Sequence, residues 1–116
     1  MKVHNIELLK NHATNASFNS APMFVQNMFG YAFQIVFTGT PTGSFKLQAS
    51  CDKLNDVEQV SNWTDVANSS VNVTGAGSHL VSATDVMYNH VRIVYTDTSG
   101  GTSTALMSAV FNTKGA

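Results

Sequence analysis

Two alternating runs separated by a turn-forming pentapeptide constrain this chain more than any other feature. They lie between Gly30 and Cys51, in GYAFQIVFTGTPTGSFKLQASC. In the first run Tyr31, Phe33, Ile35 and Phe37 share one face, opposite Ala32, Gln34, Val36 and Thr38. In the second, Phe45, Leu47, Ala49 and Cys51 share a face, opposite Ser44, Lys46, Gln48 and Ser50. A period of two in aromatic and β-branched residues marks half-buried strands. The intervening Gly39-Thr40-Pro41-Thr42-Gly43 suits a type I turn, because Pro41 presets φ at the second position and Gly43 closes it. The pattern therefore predicts a β-hairpin, with Cys51 buried in phase with Phe45 and Leu47 as a small hydrophobe. No residue in it forms a reactive constellation.

A chain of 116 residues is one domain's worth, large enough to bury a core without metal or disulfide staples. Its net charge is −1, which leaves no electrostatic footprint for nucleic acid or for an anionic membrane. Charged residues make up 11% of the chain, against about a quarter in an average globular domain. Ser, Thr and Asn supply the polarity instead, and so weakly charged a surface is poorly protected against self-association. The one cysteine excludes an intramolecular disulfide, so nothing demands an oxidising compartment. The opening MKVHNIELLKNHAT lacks the apolar run of a signal peptide, and no stretch reaches transmembrane length. The expectation is a soluble product made in the cytoplasm.

Taken in order, Val3 to Leu9 is expected as a first strand with Ile6 and Leu8 on one face; a short helix over IELLK is the alternative, without length or cap. Asn11 to Ser20 reads as a loop, or as a strand along a neighbouring subunit, with Phe18 its only large apolar residue. Met23-Phe24-Val25 is a second strand, placed at an edge by Pro22. After Cys51 comes the charge-rich stretch Asp52 to Glu58, a loop or a single helical turn. Short strands follow near Ser70 to Val73 and His79 to Val81, split by Gly75-Ala76-Gly77. Asp85 to Asn89 reads as a turn. His90 to Thr96 alternates, with Val91, Ile93 and Tyr95 on one side and Arg92 and Val94 on the other. Ser99-Gly100-Gly101-Thr102 reads as a hairpin turn into a last strand, Thr104 to Asn112, followed by a frayed end from Thr113. About eight or nine short strands without helical periodicity point to an antiparallel β-sandwich, jelly-roll or Ig-like. Residues 1–29 form an N-terminal strand and arm suited to assembly, and 30–116 the sandwich body.

With the strands in place, a family pattern emerges. Gln34-Ile35-Val36-Phe37-Thr38-Gly39 leading into Thr42-Gly43, then Leu47-Gln48-Ala49-Ser50-Cys51-Asp52, resembles small tailed-phage proteins of the form Q-x-V-x-T-G followed by T-G-x-x-x-L-Q-x-S-x-D. Asn62-Trp63-Thr64-Asp65-Val66, Gly75-Ala76-Gly77-Ser78, Tyr88 to Tyr95, Gly100-Gly101-Thr102 and Phe111 to Gly115 extend the match over Gly30 to Gly115. These are fold-type motifs without catalytic content. The resemblance implies a virion β-domain and leaves its place in the particle open. Two departures stand out: Cys51, where the pattern has a small polar residue such as Asn, and the inserted Lys53 to Ser61.

Constellations that would carry chemistry are missing from the sequence. His4, His12, His79 and His90 lack metal-ligand spacing, and no catalytic residue, cofactor site or metal site is expected. His90, beside the Arg92 strand, is a candidate for a buried subunit contact sensitive to pH. Gly75-Ala76-Gly77-Ser78 is neither a nucleophile elbow nor a phosphate loop. Asp52, Asn55, Asp56 and Glu58 miss the EF-hand register and read as solvated loop charge. The four Asn-x-Ser/Thr triplets read as chance matches in an Asn-rich chain. Trp63 is expected in the core with its indole N–H bonded near the rim; the alternative is an exposed ring that stacks on a sugar. Arg92, the lone arginine, needs a partner within its strand-rich setting, and Asp65 or Asp97 is the expected one.

Together with the lack of a reactive constellation, the resemblance implies a non-enzymatic virion protein. Capsid decoration, cement or minor head protein comes first, and a tail- or spike-attached domain second. A carbohydrate-binding module that takes glycans through Trp63 is the reading from another class. The expected partners are copies of itself, with a trimer favoured, and other virion proteins. Phe18, Phe24, Trp63 and Arg92 are the candidate contact residues.

Overall fold

The computed structural model describes residues 3–25, 28–52, 60–84 and 86–115. Ten strands lie among them: β1 (Val3–Ala13), β2 (Phe18–Asn19), β3 (Met23–Phe24), β4 (Met28–Thr38), β5 (Gly43–Ser50), β6 (Thr64–Asp65), β7 (Val71–Val73), β8 (Gly77–Thr84), β9 (His90–Asp97) and β10 (Leu106–Gly115). They form two antiparallel sheets. The first has the order β1-β10-β4-β8; the second runs β2-β9-β5-β6, with β3 also on β9 and β7 also on β5. The excess over eight strands comes from two broken edges. β2 and β3 occupy successive stretches of one side of β9, and β6 and β7 do the same along β5. Counted that way, each sheet has four positions, and their order is the double Greek key of a jelly roll.

The central runs are both strands, but they do not form a hairpin. β4 belongs to the first sheet and β5 to the second, so the segment between them crosses the sandwich. Gly39 makes the turn at φ 84°, a left-handed conformation that side chains resist. Gly43 is needed for space: a Cβ there would run into the Thr96 carbonyl and the Tyr95 ring. The Ser99–Thr102 turn is likewise a crossing, from β9 to β10, with Gly100 and Gly101 at φ 71° and 88°. Wherever hairpins were expected, the chain changes sheets.

Both buried faces meet in one aromatic core. Tyr31, Phe33, Ile35 and Phe37 from β4 pack with Met107, Ala109 and Phe111 from β10, against Phe45, Leu47, Val91, Ile93 and Tyr95 from the other sheet. Phe33 and Phe111 lie with ring centroids 4.8 Å apart within the first sheet. Phe37 and Phe45, on the two sides of the crossing, stack at 6.2 Å. Each fully buried Phe or Leu side chain stabilises by roughly 1.5–3 kcal/mol.

The N-terminal segment folds onto both sheets. β1 pairs along β10 from Val3↔Lys114 to Ala13↔Leu106, with two register shifts, and β2 and β3 add to β9. Those shifts break the predicted Ile6/Leu8 face: Ile6 is largely exposed, while Leu8 and Leu9 pack on the core. The last strand outruns its expected end, because Thr113 and Lys114 pair with both β4 and β1. Cys51 lies beyond the end of β5 and is exposed. Ser50 is the buried residue there, so the alternation slips by one position at the strand's end. The expected loop over Lys53 to Glu58 and the turn residue Asp85 lie outside the described residues.

Candidate functional site

The chemistry-bearing side chains gather on the outer face of the second sheet. Its register sets Asp65 of β6 beside Gln48 of β5, and Gln48 beside Arg92 of β9. All three point away from the core because they alternate with Leu47, Val91 and Ile93. The result is a continuous row. Lys46 Nζ lies 2.9 Å from Asp65 Oδ2, and Gln48 Nε2 donates to Asp65 Oδ1 at 3.0 Å. Arg92 donates twice to Gln48 Oε1, from Nε at 3.1 Å and Nη2 at 2.7 Å. Its guanidinium carbon stands 4.3 Å from the centre of the Trp63 ring, and Trp63 Nε1 donates to the Val60 carbonyl at 3.1 Å.

The Gln48 amide and the Lys46 ammonium hold the Asp65 carboxyl below its usual range. Partial burial lowers the Arg92 guanidinium without bringing it near neutrality. Water screens this exposed ion pair, so it adds little to stability, and the cation–π contact is a comparably modest contribution. The row contains donors, acceptors and one aromatic plate, but no activated nucleophile or general base. It can pack and it can hydrogen-bond.

Trp63 is therefore half-buried on the outside of the sandwich, with its indole N–H bonded at the rim as expected and its ring outside the core cluster. In the strand Asn62-Trp63-Thr64-Asp65-Val66 it is Val66 that packs inward. Arg92 finds an amide and an indole where a carboxylate was expected; Asp65 is taken by Lys46 and Gln48, and Asp97 by the β9–β10 crossing. There Asp97 accepts from Ser99 N at 2.8 Å and from Gly101 N at 3.1 Å. Gln48 is the residue that sequence reasoning missed. Its signal was available, as it lies two residues from Lys46 on the same outward face.

The other candidates lie elsewhere. Phe18 turns inward, stacked on His12 at 3.8 Å and on Tyr95 at 5.5 Å. Phe24 is exposed at the sheet edge, 5.8 Å from the buried His90 ring. The structure joins Trp63 to Arg92 and leaves both phenylalanines apart from them. His79 packs edge-on against Phe37 and Phe45. Among the described residues no three His, Cys, Asp or Glu side chains converge.

Asp52 organises the rim below this face. Its carboxylate accepts from Ser61 N at 2.9 Å, Asn62 N at 3.1 Å and Asn62 Nδ2 at 2.8 Å, and these bonds pull its pKa down to about 2. A cleft of about 560 Å³ opens here between Ser50, Cys51, Asp52, Asn62, Thr64 and Tyr88. A second hollow of about 360 Å³ lies at the end of the first sheet, near Phe29, Tyr31, Thr84 and Lys114. Tyr88 of the one and Tyr31 of the other hydrogen-bond through their hydroxyls at 2.5 Å.

No protein-family model matches the chain, and no curated protein matches it either. Solved structures do. The SPBc2 prophage-derived protein YomS superposes with a TM-score of 0.65 at 10% identity, over 97% of this chain and 92% of that one. At that identity the likeness establishes the fold: this chain shares its β-sandwich architecture with a prophage-derived protein. Weaker similarity extends to a tobacco streak virus coat protein dimer (TM-score 0.46, 12% identity, 99% of this chain and 85% of that one). It extends also to the globular domain of zebrafish complement 1qA protein (0.43, 14%, 96% and 93%). These two bear on neither fold nor function.

Proposed function

We propose that this chain is a non-enzymatic structural component of a phage virion, a capsid decoration, cement or minor head protein that works by packing against neighbours. The observation that carries the reading is the state of its surface. The sandwich exposes apolar side chains on the first sheet and its flanks, including Leu80 at 68% exposure, Phe29 and Leu106, on a chain with 11% charged residues. Surfaces of that kind are protected by burial against a partner. The tailed-phage motifs from Gly30 to Gly115 and the fold held in common with a prophage-derived protein supply the setting.

The glycan-binding reading ranks below it for a specific reason. The Trp63 ring that would take a sugar already has the Arg92 guanidinium over it, and Arg92 is held in turn by Gln48. A sugar would have to displace a satisfied contact on that face.

The test is binding to particles. Purified full-length protein should co-sediment with virions stripped of their outer proteins and appear as ordered extra density in a low-resolution reconstruction. Failure to bind, together with a Trp63 emission that shifts on adding a polysaccharide, would replace this reading with the binding module.

A further inference from the structure

The edges of the two sheets are protected unequally. In the second sheet, β2 and β3 on one side and β6 on the other are two residues each, and β7 is three. Edges so short offer little to an incoming strand. In the first sheet, β1 is long but has two register shifts, the exposed charges Glu7 and Lys10, and Asn11 at φ 50°. Bulges and charges are the devices by which native edges refuse pairing.

β8 has none of them. It runs eight residues, Gly77 to Thr84, in unbroken register with β4 from Gly30↔Thr84 to Phe37↔Gly77. It contains no proline and no Lys, Arg, Asp or Glu. Its one titratable side chain, His79, packs onto Phe37 and Phe45. Among the described residues only β4 pairs with it, so the backbone groups of its other side are open to a strand. Leu80 stands beside that edge on the outer face, 68% exposed.

We infer that β8 is the self-association surface of this protein, pairing antiparallel with β8 of a second copy about a two-fold axis. The inference rests on the proposed function, for which it names the contact. A foreign strand would be selected by charges or by side-chain pockets at alternate positions, and β8 offers neither. A copy of itself needs only a straight, neutral edge. A register centred on Leu80 sets that leucine against its own counterpart and Ser78 against Ser82 of the partner, on one outer face, with no like charges opposed. The two four-stranded sheets become one of eight, ending at both sides in the bulged, charged β1. The contact is isologous, and the protected ends stop it from growing into a fibre. It makes a pair, not the trimer expected from the sequence.

Light scattering of the full-length protein across a concentration series tests this. The wild type should dimerise, while Leu80→Lys and Leu80→Glu should each be monomeric, with association weakened on the order of tenfold or more. An equimolar mixture of the two variants should recover the dimer, because opposite charges then face each other across the axis. Both variants should keep the wild-type circular dichroism spectrum, since Leu80 is outside the core. As an independent readout, amides within Gly77–Thr84 should gain hydrogen-exchange protection as the wild type is concentrated. A wild type that remains monomeric up to ~1 mM, a trimer, or variants that still dimerise would overturn the inference. Particle binding by the wild type, measured separately, would show in each case whether the virion assignment itself had failed.

Discussion

The two outer faces of this sandwich are finished in different ways. On the second sheet, Lys46, Asp65, Gln48, Arg92 and Trp63 satisfy one another in a single row. On the first, Gln34 lies between Leu80 and Val110 in the strand register, Asn5 bonds Asn112 across the strands, and no comparable network spans the four strands among the described residues. One face is complete within the monomer; the other leaves Leu80 in water. A protein that works by packing needs this asymmetry, because a satisfied polar row resists desolvation, whereas an exposed leucine beside an open edge gains from it.

Both faces depend on the shared core, so the largest effect belongs there. Phe33→Ala should cost about 3–5 kcal/mol in denaturant unfolding, since the ring is fully buried against Phe111 and Tyr31. A much smaller loss would mean that the sheets are not clamped by this aromatic layer.

Next comes the finished face. Trp63→Ala removes the plate under Arg92 and the bond to Val60, and should cost about 1–2 kcal/mol, well below the price of a core tryptophan. A loss as large as that of Phe33→Ala would return Trp63 to the core.

Acid should then weaken the Asp52 rim and the Asp65 row. Asp52 titrates near 2 in the fold and near 3.9 when unfolded. A depressed carboxylate stabilises fully above the unfolded value, and its contribution fades as pH drops from about 4 toward 2. Asp65 and Asp97 shift in the same direction. The thermal midpoint should therefore decline over that window, and Asp52→Asn should make the decline shallower. A midpoint that is flat from pH 5 to pH 2 would mean the carboxylate bonds are not held in solution.

Smallest of all, Leu80→Ser on the unfinished face should leave the stability of the isolated monomer within ~0.5 kcal/mol. A larger cost at low protein concentration would show that Leu80 packs within its own chain and would remove the contrast between the faces.

Periodicity made the strands legible. The inward sets of β4 and β9 were readable residue by residue, because alternation reports which side chains leave water, and half of the core consists of those residues. The site was half legible: Trp63 and Arg92 stood out by rarity, but their meeting depends on β5 and β9 lying side by side in the register that places Gln48 between Asp65 and Arg92.

Alternation does not say which strand lies alongside. The turn residues between β4 and β5, and again between β9 and β10, looked like hairpin turns, and the positive φ of Gly39, Gly100 and Gly101 suits a crossing between sheets as well as a reversal within one. Only the packed sandwich decides between them. Phe37 and Phe45 are buried by facing each other across the core, which a hairpin within one sheet would not provide. The same packing left Cys51 past the end of β5, where the strand's alternation no longer applies, and put Trp63 outside because Val66 took the inward position. What the residues determined alone was which of them seek burial; the pairing that satisfied them came from the closure of two sheets on one core.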